Sequence, residues 1–309
     1  MHRRNSDFLT TVCLILLLTL YYAAGWMVAG APSARPFLSG LLAALTLLAC
    51  GLLLALVHHR TMTGPSVTTA FLYLALAAAH PGALHFSTFH AATLLTAVSL
   101  TCFLLFNAVR PSLEYAIGMW ASLAVAGMFL PPLLWLAPVL ALLSAGRPGD
   151  KGKFWFATLL ALVLPACLWI GVRYLWGDPL SFSDLFKDIW TGMTAIRRPA
   201  FHFPAATICR ILMTAAATLT AVIHVFMRLS TFKTTQYHAC MQLVLLTLCI
   251  SVLALLFLPA SVPECMLVCL PVAPLLGEYV QHPGNLKAAR LLMAVLGLLL
   301  LIERVSFFV

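Results

Sequence analysis

The sequence predicts an all-α protein, a polytopic transmembrane helical bundle of about eleven segments, within a range of nine to twelve, carrying one outer interfacial amphipathic helix. Three observations lead there. No carboxylate occurs between Asp7 and Glu114, and the 309 residues hold only nine Asp or Glu. Hydrophobic residues make up 62 % of the chain and the mean hydropathy is +1.02. Apolar runs of about 20 residues, the length that crosses a ~30 Å hydrocarbon layer, fill most of the sequence. A charge at the bilayer centre costs about 2.5 to 3.5 kcal/mol on insertion scales, so a chain charged at 9 % of positions is built for lipid. Residues 1–309 read as a single integral membrane domain, with 178–204 an outer-face loop.

The segments fall at 8–29, 37–57, 67–79, 89–109, 112–129, 131–144, 153–176, 205–228, 239–258, 265–281 and 286–308. The third, sixth and tenth are short enough to be tilted, re-entrant or joined to a neighbour. The first follows Arg3 and Arg4 as a signal peptide would. Its apolar core exceeds the usual 7 to 15 residues of such a signal, about as long as a bilayer is thick, so it reads as an uncleaved helix.

With the N-terminus in the cytoplasm, eleven of the eighteen Lys and Arg lie inside: Arg3, Arg4, Arg60, Arg110, Arg147, Lys151, Lys153, Arg228, Lys233, Lys287 and Arg290. Arg35, Arg173, Lys187, Arg197, Arg198 and Arg304 fall outside, and Arg210 lies within the eighth segment. Short loops retain basic residues on the cytoplasmic side, which supports this orientation. The net charge of +9 is therefore topological, and without a basic run it argues against a nucleic-acid partner.

In the longest connection, Leu185, Phe186, Ile189, Trp190, Met193 and Ile196 recur at helical spacing opposite Asp184, Lys187, Asp188 and Thr191. Two readings stand: an interfacial helix roofing the outer ends of the bundle, or a loop helix that covers exposed backbone. Small residues (Gly40, Ala43, Ala44, Ala49, Gly51; Gly118, Ala121, Ala124, Ala126, Gly127) mark faces where helices approach closely. The nine cysteines lie within or at the ends of apolar runs, as packing residues rather than a disulfide framework; Cys265 and Cys269, one turn apart, lack further soft ligands for a metal.

From Tyr115 to Pro179 a small-residue helix, a break at Phe129, Leu130, Pro131 and Pro132, a short helix, a basic loop and a long helix closing on Trp176, Gly177, Asp178 and Pro179 follow one another. This cadence resembles the middle of C-type-fold glycosyltransferases, which use polyprenyl-phosphate sugars, and is similar to a family of uncharacterised bacterial inner-membrane proteins. The run 264–280, where Pro271 and Pro274 interrupt a helix ending in Glu278 and Tyr279, is similar to that second family too. The resemblance covers about half the chain. It implies a multi-pass protein of the bacterial inner membrane and a lipid-linked sugar as ligand. C-type transferases place an acid in the first outer loop, and Gly30, Ala31, Pro32, Ser33, Ala34, Arg35 and Pro36 hold none. Ser and Arg cannot act as general base or metal ligand at neutral pH, so either catalysis is lost or another carboxylate replaces it.

Of the outer loop carboxylates Asp178, Asp184, Asp188 and Glu264, Asp178 is the best substitute, since its Gly-Asp-Pro turn holds it at the mouth of the seventh segment. The same tripeptide is ordinary turn chemistry. Arg173, Arg197, Arg198 and Arg210 gather at the outer headgroup level, where guanidinium forks would bind an anionic lipid head such as polyprenyl phosphate, or snorkel to ordinary phospholipids. His80, His85 and His90 repeat every five residues without a completing carboxylate, so no metal is expected. His224 reads as a hydrogen-bonded bundle residue or a proton relay. Arg110 with Glu114, and Glu278 with Lys287, read as helix-end electrostatics. P-loop, dinucleotide, nucleophile-elbow and zincin motifs are missing, and no cofactor is implied.

The leading expectation is a catalytically degenerate C-type-like protein that binds a lipid-linked glycan intermediate or a membrane-protein partner. Its rivals are an active glycosyltransferase working through Asp178 and a transporter or flippase of an anionic lipid, the latter resting on His224 and proline breaks at Pro131, Pro165 and Pro271.

Overall fold

The computed structural model describes residues 34–62, 67–78, 86–108, 112–145, 151–177, 181–195, 205–257, 265–281 and 294. The first and last expected segments lie outside these residues, apart from residue 294. The described chain is helical without a strand: α1 Ala34–Thr61, α2 Val67–Ala78, α3 Thr88–Ala108, α4 Leu113–Phe129, a 3₁₀ turn Pro131–Trp135, α5 Leu136–Ala145, α6 Lys151–Leu175, α7 Phe182–Thr194, α8 Ala205–Arg228, α9 Thr234–Phe257 and α10 Cys265–Gln281.

Four of these are long and apolar enough to cross a membrane, at Leu38–Thr61, Thr88–Asn107, Gly152–Leu175 and Thr234–Leu256. Five further apolar helices are shorter, so the structure does not confirm the count of about eleven crossings. The helix α1 starts at Ala34, which takes Ala34, Arg35 and Pro36 out of the expected first loop and into a helix.

Close approach builds the bundle. A Cβ on Gly118 of α4 would sit 2.9 Å from Cys102 Sγ of α3, and one on Gly51 of α1 would lie 3.4 Å from the Ala70 carbonyl of α2. Ser99 Oγ donates across to the Met119 carbonyl at 2.9 Å. Tight van der Waals contact and such bonds hold neighbouring helices together. Trp120, Tyr73, Phe103, Leu47 and Leu54 fill the space between them.

The centre belongs to α10, which packs against α1, α2, α3, α8 and α9. Met266, Leu267, Cys269, Leu270, Val272 and Ala273 are all fully buried. A helix enclosed on all sides carries apolar residues all round, which is why its sequence shows no polar face. Pro271 and Pro274 do not interrupt it, nor does Pro165 interrupt α6. Each proline removes one backbone hydrogen bond, and the packing around α10 outweighs that loss. Of the breaks expected at Pro131, Pro165 and Pro271, the one at Pro131 is present, at the start of the 3₁₀ turn.

At the opposite extreme, α6 packs mainly on α4 and leaves Phe156, Leu159, Leu164 and Leu168 more than half exposed. An apolar face of that length on a water-solvated monomer would be an aggregation surface, and facing acyl chains it is ordinary. The helix ends in a turn at Gly177, whose φ of 77° lies in the left-handed region that residues bearing a Cβ avoid, and its N–H donates to the Tyr174 carbonyl at 3.1 Å.

Candidate functional site

Two polar regions lie at opposite ends of the bundle. The Phe86 N–H donates to Ser39 Oγ at 2.9 Å, so α1 and α3 start at the same end. The chain from α4 reaches that end too, and there α7 docks on the 3₁₀ turn. Trp135 Nε1 donates to the Met193 carbonyl at 3.1 Å. A Cβ on Gly192 would lie 2.7 Å from Pro131 Cγ, a contact only glycine permits.

The amphipathic helix expected in the long connection is therefore present, as α7. Ser181 caps it: its hydroxyl accepts the Asp184 N–H at 3.1 Å and donates to the Asp184 carboxylate. Asp184 is thereby engaged in the cap, while Asp188 stays exposed on the polar face. Leu185 is buried against the protein, whereas Phe182, Phe186 and Trp190, spaced four apart, stand outward and exposed. The Phe186 and Trp190 rings stack with centroids 6.5 Å apart.

Of the expected site residues, Arg173 is partly buried in the last turn of α6. Asp178, Arg197 and Arg198 lie outside the described residues, as does Glu264. Arg210 belongs to the helical backbone of α8, and its side chain is not among those described. The expected arginine cluster is thus represented by Arg173 alone. His80 and His85 also fall outside, and His90 is a buried residue in the first turn of α3, with Nδ1 3.1 Å from Ser87 Oγ. Among the described residues no group of three or more His, Cys, Asp or Glu is arranged to hold a metal. The described cysteines Cys50, Cys102, Cys167, Cys240, Cys249 and Cys269 are thiols.

At the other end the structure assembles polar residues that sequence reasoning did not connect. His58 in the last turn of α1 is fully buried, with Nε2 3.3 Å from Gln281 Oε1 of α10. Glu278, read from the sequence as helix-end electrostatics, does lie in the last turn of α10 but is only 3 % exposed. Lys287, its expected companion, lies outside the described residues, as does Arg110, the companion of the exposed Glu114. His224 of α8 meets Tyr279 of α10 edge to face, with ring centroids 4.9 Å apart. Thr69 of α2, beside Gly277, and Cys240 of α9, within electrostatic reach of Glu278, are buried, as is Gln236 one turn before Cys240.

Glycine makes this convergence geometrically feasible. A Cβ on Gly277 would collide with Thr69 Oγ1 and lie 3.3 Å from His58 Cε1, so α10 reaches α1 and α2 only because residue 277 has none. The available signal was a single Gly-Glu pair inside an otherwise apolar run. Intramembrane ionisable residues are expensive and tend to be functional, but the helix-end reading hid the burial of Glu278.

Fold and sites together define a class: an α-helical protein with the long apolar helices and outward-facing leucines and aromatics compatible with a membrane protein. Compared with protein-family models, curated proteins and solved structures, the chain matches none of them.

Proposed function

We propose that this chain is a multi-pass inner-membrane protein, N-terminus in the cytoplasm, that holds an anionic lipid headgroup of the polyprenyl-phosphate type at its outer face, as a catalytically degenerate relative of C-type glycosyltransferases. The observation that carries this reading is the docked α7, with a protein-facing edge at Leu185 and Gly192 and an outward aromatic edge at Phe182, Phe186 and Trp190. A helix of that kind lies flat in the headgroup plane with its aromatics dipped into the acyl boundary.

Arg173 closes the helix that precedes α7, and Arg197 and Arg198 follow it in sequence. Guanidinium groups on either side of an interfacial helix would meet phosphate oxygens bidentately, which a diffuse lysine patch would not. The basic excess on the opposite side supports the orientation. The first-loop acid of the C-type enzymes is missing, so binding without transfer is the activity these residues support.

The test is lipid recovery. Full-length wild type and an Arg173→Gln, Arg197→Ala, Arg198→Ala variant are purified in mild detergent, and co-purifying lipids are quantified by mass spectrometry. The reading requires polyprenyl phosphates to be enriched with wild type and depleted about tenfold or more in the variant, as the loss of one or two charge-assisted bonds predicts. Equal recovery from both proteins rejects it.

A further inference from the structure

We propose that Glu278, His58 and His224 form a buried proton-binding site at the end of the bundle opposite α7, a site that takes up and releases a proton near neutral pH. It is independent of the lipid reading, since it shares no residue with the α7 end.

The geometry brings three titratable side chains from three helices around the last turn of α10. His58 approaches from α1, 0 % exposed and 3.3 Å from Gln281 Oε1. His224 approaches from α8 against Tyr279, the residue after Glu278. From α9, Cys240 lies within electrostatic reach of Glu278, with buried Gln236 one turn before it. Thr69 from α2 fills the space beneath Gly277, its Oγ1 buried and without a hydrogen-bond partner among the described residues.

Other charged or titratable groups stand on the same helices. His59 and Arg60 of α1 are exposed, as are Tyr237 and His238 of α9. Arg228, four residues after His224 and so on the same face of α8, is half buried. Tyr73 of α2 is buried beside Cys50, a contact at α1 rather than at Glu278. The one histidine of α3, His90, sits at the start of that helix and so at the other end of the bundle.

A carboxyl and two imidazoles in a low-dielectric interior cannot titrate independently. Each isolated charge there is costly, while a carboxylate next to an imidazolium offsets part of that cost, so the protonation of one group sets that of the others. An imidazole's ordinary value of about 6.5 lies close to neutrality, and a coupled set that includes two of them exchanges protons with water in that region. The hydroxyl, amide and phenol around it (Thr69, Gln281, Tyr279) can rotate or switch between donating and accepting, which suits a site with two protonation states. A merely structural pair would keep one proton count throughout.

The sequence has four glutamates, so carbon-13 labelling of glutamate carboxyls gives a simple infrared spectrum, and Glu114 is exposed and serves as an internal reference. Full-length protein in lipid nanodiscs is titrated between about pH 5 and 8. The expected result is a protonated-carboxyl band that titrates in this window, disappears in Glu278→Gln, and shifts its midpoint by about one pH unit or more in His58→Gln or His224→Gln. A band that does not titrate there, one that survives Glu278→Gln, or a midpoint unmoved by both histidine variants would overturn the proposal. The histidine variants report on the native Glu278, so they decide the matter even where Glu278→Gln fails to fold.

Discussion

The indole of Trp135 donates to the backbone carbonyl of Met193 at 3.1 Å, joining the only proline-led break in the described bundle to the amphipathic helix α7 across 58 positions of sequence. That bond and the Gly192 contact on Pro131 fix which edge of α7 faces protein. The remaining apolar edge, Phe182, Phe186 and Trp190, is left exposed.

Replacing Trp135 with Phe keeps the ring and removes the donor, leaving the Met193 carbonyl to find water. The expected loss is about 1 kcal/mol of α7 docking, seen as faster amide hydrogen exchange confined to 182–194. Gly192→Leu should loosen the same segment more strongly, by about 1 to 3 kcal/mol, because Pro131 cannot retreat from a side chain. Unchanged exchange in both variants would mean that α7 is held by something else.

Depth measurements test whether the exposed aromatic edge faces lipid. A spin label introduced at position 186 should be accessible to oxygen, which concentrates in acyl chains, and one at position 188 to a water-soluble nickel complex. Phe186 and Asp188 are both exposed in the structure, so labelling leaves the core intact. Equal water accessibility at the two positions would contradict an interfacial helix.

Leu164 sits near the middle of α6 and is 52 % exposed. An arginine there would face hydrocarbon, at a cost of about 2.5 to 3.5 kcal/mol, so Leu164→Arg should sharply lower insertion of that helix in a glycosylation-mapping assay. Were water the solvent of this face, the same change would raise solubility with little effect on folding.

Gly277→Ala should destabilise the protein by about 1 to 3 kcal/mol by forcing α10 away from Thr69 and His58. Shortening the neighbour in Thr69→Ala should recover part of that loss, giving a coupling of about 0.5 kcal/mol or more in a double-mutant cycle of thermal unfolding. Strict additivity would separate the two residues.

Much of the architecture is legible in composition and periodicity. The 17 residues of α10 and the break at Pro131 fall where apolar run length and proline place them. The helix α7 was visible because its apolar and polar residues fall on two unlike faces, and period alone reports that. Proline misled at Pro165, Pro271 and Pro274, because a local rule for kinks takes no account of the packing that overrides it. Glu278 misled for a related reason: near the end of an apolar run a carboxylate looks solvated, and nothing local says that four other helices surround it.

Run lengths and the scarcity of charge were enough to specify helices, lipid-compatible surfaces and the amphipathic α7, since hydrophobicity and helical period are properties of neighbouring residues. Which side chains meet was decided only when the helices packed. His58 and Gln281 are 223 positions apart, and their contact depends on a glycine at 277 and on five helices closing around one turn. Such long-range contacts arise from the shape complementarity of whole helices, a quantity no short window of residues contains.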